Sequence, residues 1–236
     1  MIFTIEGNIG SGKTTILRDI NQYCKFDKKH IVIYEQVQEW SQMKDDNNVD
    51  ILSLFYKDKQ KYSYIFQSYV LFSRINHMLE TVKKNPDSII ICERSHFTDL
   101  YVFALALYES KDISEIEWKV YNEWHRKLRE LLSITIVGII YINTDSDVCH
   151  HRMKLRNRTG EEGVPLDYLK ILEEKHNKWL LDRPVIDNTK KWFSVHKDSI
   201  IPVLTLNGNV DVYDVSNREK QYRMIEEFIN TELKSA

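Results

Sequence analysis

Eight residues near the N-terminus, Gly7-Asn8-Ile9-Gly10-Ser11-Gly12-Lys13-Thr14, fit the pattern G-x-x-x-x-G-K-[ST]. In that loop successive backbone N–H groups wrap the phosphates of a nucleotide, and glycine allows the tight turn and close approach. Lys13 is placed to reach the β- and γ-phosphates, and Thr14 offers a hydroxyl to Mg2+. A helix starting near Lys13 points the positive end of its dipole at the anion. The pattern arises by chance in a chain of this length on the order of one time in a hundred. Here it follows a strand-like run, Ile2 to Glu6, and precedes helical spacing from Lys13 to Tyr23 through Ile16, Leu17 and Ile20, which is the context it requires. ATP or GTP binding follows, but such a loop serves GTPases, motor and transport ATPases and small-molecule kinases alike.

Two carboxylates narrow the choice. Glu93-Arg94-Ser95 follows the apolar run Ser88 to Cys92, and Glu35 follows Ile31 to Tyr34. Both fall at the C-terminal ends of expected strands, where open α/β sheets bind ligands. One carboxylate near the metal and one near an attacking hydroxyl is the division of labour a phosphoryl transfer needs. The Asn-Lys-x-Asp and Asp-x-x-Gly sequences of a GTPase are absent. Arg152 and Arg156 are spaced i, i+4 on one helix face with Arg158 beyond and Gly160 and Gly163 flanking. Guanidinium forks suit phosphate oxygens, so residues 152–163 are expected to form an arginine-rich lid. His150 and His151 have no partner at metal-binding spacing and read as surface polar residues.

The elements that must position these groups alternate. Strands are expected at His30 to Tyr34, Ser88 to Cys92, Ile134 to Ile142 and Ile200 to Leu206. Helices are expected at Gln60 to Lys83, Phe97 to Glu109, Glu115 to Leu132, Asp145 to Leu155, Pro165 to Leu181 and Asn217 to Leu233. Apolar strands without alternation suit a parallel sheet covered on both faces, and the order argues a doubly wound α/β domain. Asp45 to Asn48 and Asp187 to Lys191 read as polar connections. The 236 residues, 42% hydrophobic and 29% charged, are read as one domain, 1–236. A net charge of −2 provides no field for capturing nucleic acid. Three scattered cysteines, no leader-like start and no apolar run of bilayer length point to a cytoplasmic protein away from membranes. Lys-, Asn- and Ile-rich usage suits an AT-rich genome.

The chain resembles the deoxyribonucleoside kinase family, in its deoxycytidine and deoxyguanosine kinase branch. The resemblance is carried by Ile5 to Thr14, Glu35-Gln36-Val37-Gln38-Glu39-Trp40, Phe66-Gln67-Ser68-Tyr69, Ser73-Arg74, Glu93-Arg94-Ser95 with Asp99 and Phe103, and the stretch Arg152 to Leu181. It implies a P-loop kinase fold, a five-stranded parallel sheet with helices on both faces. It also implies ATP-dependent, Mg2+-assisted phosphorylation of a deoxynucleoside 5′-hydroxyl by a homodimer, with the apolar faces of Gln60 to Lys83 and Glu115 to Leu132 as candidate contacts. By the same resemblance Glu35 takes the hydroxyl proton, Arg94 steadies the charge, and Glu93 with Thr14 holds Mg2+. The loop residues through Thr15, with Arg152, Arg156, Arg158 and Asp211, bind the donor. Gln67 pairs with the base edge, Phe103 stacks on the base, Trp40, Leu52, Phe66 and Val70 line the pocket, and Tyr56 with Glu161 holds the 3′-hydroxyl.

Arg74 and Asp99 match the family's base-reading pair, which points to deoxycytidine first, purine deoxynucleosides next and thymidine last. Val70 trims the space beside the ring. Gln36 stands where the family has proline, which implies a softer loop behind Glu35, and Asn207 to Asp211 replaces a more acidic loop at the donor base. The rival readings are a thymidylate-type nucleotide kinase, whose phosphorylated acceptor Glu35 would repel, and a non-catalytic nucleotide-binding homologue.

Overall fold

Ile89, Ile90, Ile91 and Cys92 are all buried, and their alternation divides them. Ile89 and Ile91 pack into one core, Ile90 and Cys92 into another. A strand buried on both sides requires helices on both sides, and that is the architecture of the computed structural model. It describes residues 1–132, 135–158, 161, 163–182, 185–187, 190–196, 199–211 and 214–235.

The chain runs β1 (Ile2–Gly7), α1 (Lys13–Tyr23), β2 (His30–Ile33), α2 (Val37–Trp40), α3 (Ile51–Lys57), α4 (Lys59–Lys84), β3 (Ile89–Glu93) and α5 (His96–Thr98). A π-helical turn, Asp99–Ala104, leads into α6 (Leu105–Glu109) and α7 (Glu115–Leu132). Then come β4 (Ile136–Asn143), α8 (Ser146–Arg156), α9 (Leu166–Leu180), β5 (Val185–Asp187), β6 (Lys190–His196), β7 (Ser199–Asn207) and α10 (Val215–Ser235). The sheet order is β2-β3-β1-β4-β7-β6-β5.

The first five strands in that order are parallel, as expected. Two antiparallel strands, β6 and β5, extend the sheet beyond β7. This corrects the reading of Asp187 to Lys191 as only a polar connection, since Asp187, Lys190 and Lys191 lie in strands; the expected strand start at Ile134 falls outside the described residues.

On one face Ile16, Leu17 and Ile20 of α1 and Tyr222, Ile225, Phe228 and Ile229 of α10 cover Phe3, Ile5, Ile140 and Ile142. On the other, Phe97, Val102, Cys149, Met153, Leu169, Leu172 and Trp179 cover Ile90, Ile139 and Val203. Each such fully buried aliphatic side chain contributes about 2 kcal/mol. A third cluster, including Trp40, Phe55, Phe66, Val70, Leu100 and Tyr121, joins α2, α3, α4 and α7 outside the sheet. The single helix expected from Phe97 to Glu109 is interrupted by the π-helical turn, and the short α2 and α3 were not foreseen because four and seven residues give too little periodicity. Asp50 starts α3, its side chain accepting from Ser53 N at 2.9 Å. Among the described residues no helix is long and apolar enough to cross a membrane.

Candidate active site

β1 lies between β3 and β4, and the strand order reverses direction there, so the loop after β1 opens at the sheet's switch point. Gly10 has φ +79°, and a Cβ on it would sit 2.4 Å from the Cys149 carbonyl oxygen. The loop therefore rests directly on α8. Asn8 ties it to α9, donating from Nδ2 to the Leu169 carbonyl at 2.8 Å. Lys13 Nζ donates inward to the Gly7 and Asn8 carbonyls at 3.1 and 2.7 Å. Burial, reinforced by Arg94, pushes the Lys13 ammonium down to about 8. Thr14 Oγ1 donates to the Glu93 carboxylate, with both oxygens at 3.0 Å. The parallel register that pairs Ile5 with Glu93 brings these two side chains together.

A buried ion network stands beside the loop. Arg74 of α4 donates from Nε to Asp99 Oδ2 at 2.9 Å, from Nη1 to the Glu93 carbonyl at 3.1 Å and from Nη2 to Glu35 Oε1 at 3.1 Å. Arg94 Nε lies 3.1 Å from the same Glu35 oxygen, while Arg94 Nη1 donates to the Gly7 carbonyl at 2.9 Å. Burial alone would raise the Glu35 carboxyl, but Arg94, Arg74 and Lys13 hold it at about 2. Burial pushes the Asp99 carboxyl up against the pull of Arg74, and its Oδ1 has no hydrogen-bond partner among the described residues. Arg94 itself is left-handed, φ +64°, a costly conformation for a residue with a Cβ. Its N–H is fixed to the Ile5 carbonyl at 3.0 Å.

Sequence reasoning missed what holds this strand end. Glu6 is fully buried and accepts from Ser95 Oγ at 2.7 Å and from Thr98 Oγ1. Ser95 and Thr98 in turn form the capping box that starts α5. A charged residue in an apolar strand was the available signal: Thr4 and Glu6 point to the face opposite Phe3 and Ile5.

A cavity of about 680 Å³ connects the loop with this network. From α4 it receives Phe66, Gln67, Val70 and Arg74, one helix face at i, i+3 and i+7 spacing. Trp40, Leu52, Tyr56, Asp99 and Phe103 line the same end. Trp40 Nε1 donates to Ser73 Oγ at 3.0 Å, and its ring meets Phe66 edge-on at 5.8 Å. Gln67 is buried, its Oε1 unpartnered among the described residues, and the Arg94 guanidinium lies 4.8 Å over the Phe103 ring. Burial, aided by Glu161, raises the Tyr56 phenol.

At the other end Ile9, Gly10, Ser11, Gly12, Lys13, Thr14 and Thr15 line the cavity with Arg152 and Asp211, while Arg156, Arg158 and Glu161 line it within electrostatic reach of Tyr56. Gly7 and Asn8 do not: their carbonyls turn to Lys13, so they support the loop from below. Arg156 and Arg158 both pair with Glu161, Arg158 at 3.3 Å, and Arg152 Nη1 donates to the Gly208 carbonyl at 2.8 Å. Gly160 of the expected lid lies outside the described residues. His150 is half-buried and His151 exposed. Gln36, where the resemblance puts proline, donates its side-chain amide to the Tyr34 carbonyl. Tyr168 of α9 and Gln221 of α10 also line the cavity. Tyr168 lies in the stretch that carries the resemblance but has no site role by sequence, and Gln221 sits in an amphipathic helix with no local motif to single it out.

Such an arrangement can hold a polyphosphate at the loop, a flat polar ring between Phe103 and Gln67, and a hydroxyl against Glu35. Known proteins are consistent with it. The family model described as Deoxynucleoside kinase matches residues 3–231. A probable deoxycytidine kinase of fowlpox virus is 38% identical over 216 residues, covering 92% of this chain and 82% of its own length. Human deoxycytidine kinase is 33% identical, with 97% of this chain and 90% of its own covered. The mitochondrial deoxyguanosine kinase of Xenopus laevis is 33% identical, at 88% and 81%. The chain belongs to the deoxynucleoside kinase family.

Proposed function

We propose that this deoxynucleoside kinase uses ATP as donor and deoxycytidine as its preferred acceptor, with purine deoxynucleosides next and thymidine last. The observation that carries the preference is the pair of buried, unpartnered acceptor oxygens, Asp99 Oδ1 and Gln67 Oε1, in one pocket. Buried acceptors are costly until an N–H reaches them. The amino group of cytosine supplies one, as does that of adenine, whereas thymine turns a carbonyl to the same place. Relatives named deoxycytidine and deoxyguanosine kinase support deoxycytidine and a purine deoxynucleoside as acceptors.

In this reading the Glu35 carboxylate accepts the hydrogen of the 5′-hydroxyl, and Arg74 and Arg94 keep it ionised and aimed. Arg94, Lys13 and the lid arginines Arg152, Arg156 and Arg158 balance charge on the transferring group, where positioning and neutralisation do most of the work. Thr14 Oγ1 and the Glu93 carboxylate, both hard oxygen donors beside the loop, suit Mg2+, which when bound neutralises phosphate charge. Tyr56 and Glu161 hold the 3′-hydroxyl. A second copy of the chain covers the exposed apolar side chains of α4 and α7, including Phe72 and Trp124, whose rings meet at 6.1 Å.

The test is phosphorylation of the four deoxynucleosides with ATP, with deoxycytidine and thymidine monophosphates as added acceptors. Deoxycytidine is expected to give the highest kcat/KM and the monophosphates no product. Thymidine or a monophosphate as best acceptor overturns the reading.

A further inference from the structure

The donor end of the cavity contains one side chain from the C-terminal helix. Gln221 of α10 is 7% exposed and, among the described residues, is the α10 side chain that lines the cavity. Its Nε2 donates to the Asn207 carbonyl at 2.6 Å. That bond settles which way the amide faces, because a carbonyl can pair only with the NH2 side. Gln221 Oε1 makes no hydrogen bond among the described residues.

The turn that Gln221 grips is rigid from several directions. Gly208 N donates to the Asn143 carbonyl at 2.7 Å, and Arg152 Nη1 takes the Gly208 carbonyl. A Cβ on Gly208 would fall 1.8 Å from Thr144 Oγ1, so only glycine lets the turn lie this close to the end of β4. Gly208, Arg152 and Asp211 line the cavity at the same end as Gln221. A backbone edge held on several sides, with an amide oxygen that has no hydrogen-bond partner among the described residues, is a hydrogen-bonding surface for a flat heterocycle.

We infer that Gln221 determines which nucleoside triphosphate serves as donor, its Oε1 accepting a hydrogen bond from an N–H on the edge of the donor's base. The ligand class is a purine or pyrimidine triphosphate whose base presents an amino or imide N–H toward α10. The inference rests on the loop end of the cavity being the donor site, and it adds a residue that the phosphate loop and the lid do not supply. The four bases carry their N–H groups at different edge positions, so one fixed acceptor selects by where the N–H falls and leaves a misplaced base's polar edge unpaired.

The experiment measures KM for ATP, GTP, CTP and UTP at saturating deoxycytidine, for the wild type, Gln221→Leu and Gln221→Asn. The expected result for Gln221→Leu is a KM for the best donor raised at least fivefold, with the four donors drawn to within twofold of one another. The KM for deoxycytidine is expected to stay within twofold of wild type. Gln221→Asn, one methylene shorter, loses the same ranking while keeping a polar helix face. It is the deciding variant if Gln221→Leu no longer binds deoxycytidine by calorimetry. An unchanged donor ranking in a variant that still turns over, or a deoxycytidine KM that rises in step with that of the donor, overturns the inference. A wild type inactive with all four triphosphates would instead count against the donor-site reading beneath it.

Discussion

Arg74 Nε lies 2.9 Å from Asp99 Oδ2, and the two side chains are 3% and 0% exposed. Removing one member of such a pair strands the other charge in a low-dielectric interior, which costs about 3–5 kcal/mol. Removing both is milder. The double substitution Arg74→Met with Asp99→Ala is therefore expected to fold better than Arg74→Met alone, which leaves the buried Asp99 without its partner, read as a higher Tm. It is also expected to lose the preference for deoxycytidine over thymidine in kcat/KM. An unchanged preference would remove the pair from base selection.

Lys13 is held by burial at about 8 and donates to two backbone carbonyls. A polyphosphate binds its protonated form, so donor affinity should weaken as pH rises through 8, and binding near that pH should take up a proton. Calorimetric titration with ATP in two buffers of different ionisation enthalpy reads the proton directly. Equal heats in both buffers would contradict it.

Acid should destabilise the protein from the histidine range downward. Burial pushes His125 down to about 4 and His176 down to about 3. Between pH 6.5 and those values the unfolded chain binds protons that the folded imidazoles do not, so stability falls as pH falls. Glu6 and Asp99, whose carboxyls burial raises, act in the opposite sense, adding stability as pH falls from their raised values to the ordinary carboxyl range. The histidine share is isolated by His176→Phe, which keeps the ring stacked on Tyr141, now 5.9 Å away at 5°. From pH 7 to 4 the wild type is expected to lose about 3 kcal/mol more than this variant, at about 1.4 kcal/mol per pKa unit. Parallel curves of Tm against pH would refute the assignment.

Gly10→Ala places a methyl group 2.4 Å from the Cys149 carbonyl at a backbone angle that alanine avoids. The loop must lift from α8. ATP affinity is expected to fall at least tenfold while deoxycytidine binding, at the other end of the cavity, changes little. Equal losses for both ligands would show that the loop and the pocket are not separable.

Much of this was legible in the sequence because it is local. The loop from Gly7 to Thr14, the five parallel strands and the long helices α4 and α7 each carry their signal in consecutive or periodic residues. Glu35, Arg74, Glu93, Arg94 and Asp99 came from motifs, and the fold brings them into one network. What was not legible depends on tertiary contact. Glu6 looks like a strand end until Ser95 and Thr98 fold onto it, and Gln221 looks like one more polar residue of an amphipathic helix until it reaches Asn207. The π-helical turn at Asp99 escaped because helical periodicity carries no mark of one extra residue per turn.

The central claim is that Glu35 receives the proton of the 5′-hydroxyl, and Glu35→Gln tests it most directly. The amide preserves shape and still accepts a hydrogen bond, but it cannot take a proton. Deoxycytidine Kd by calorimetry is expected to stay within a few fold of wild type, while single-turnover phosphorylation with ATP slows by about 10²–10⁴. Near-wild-type turnover in a variant that binds deoxycytidine normally would contradict the account.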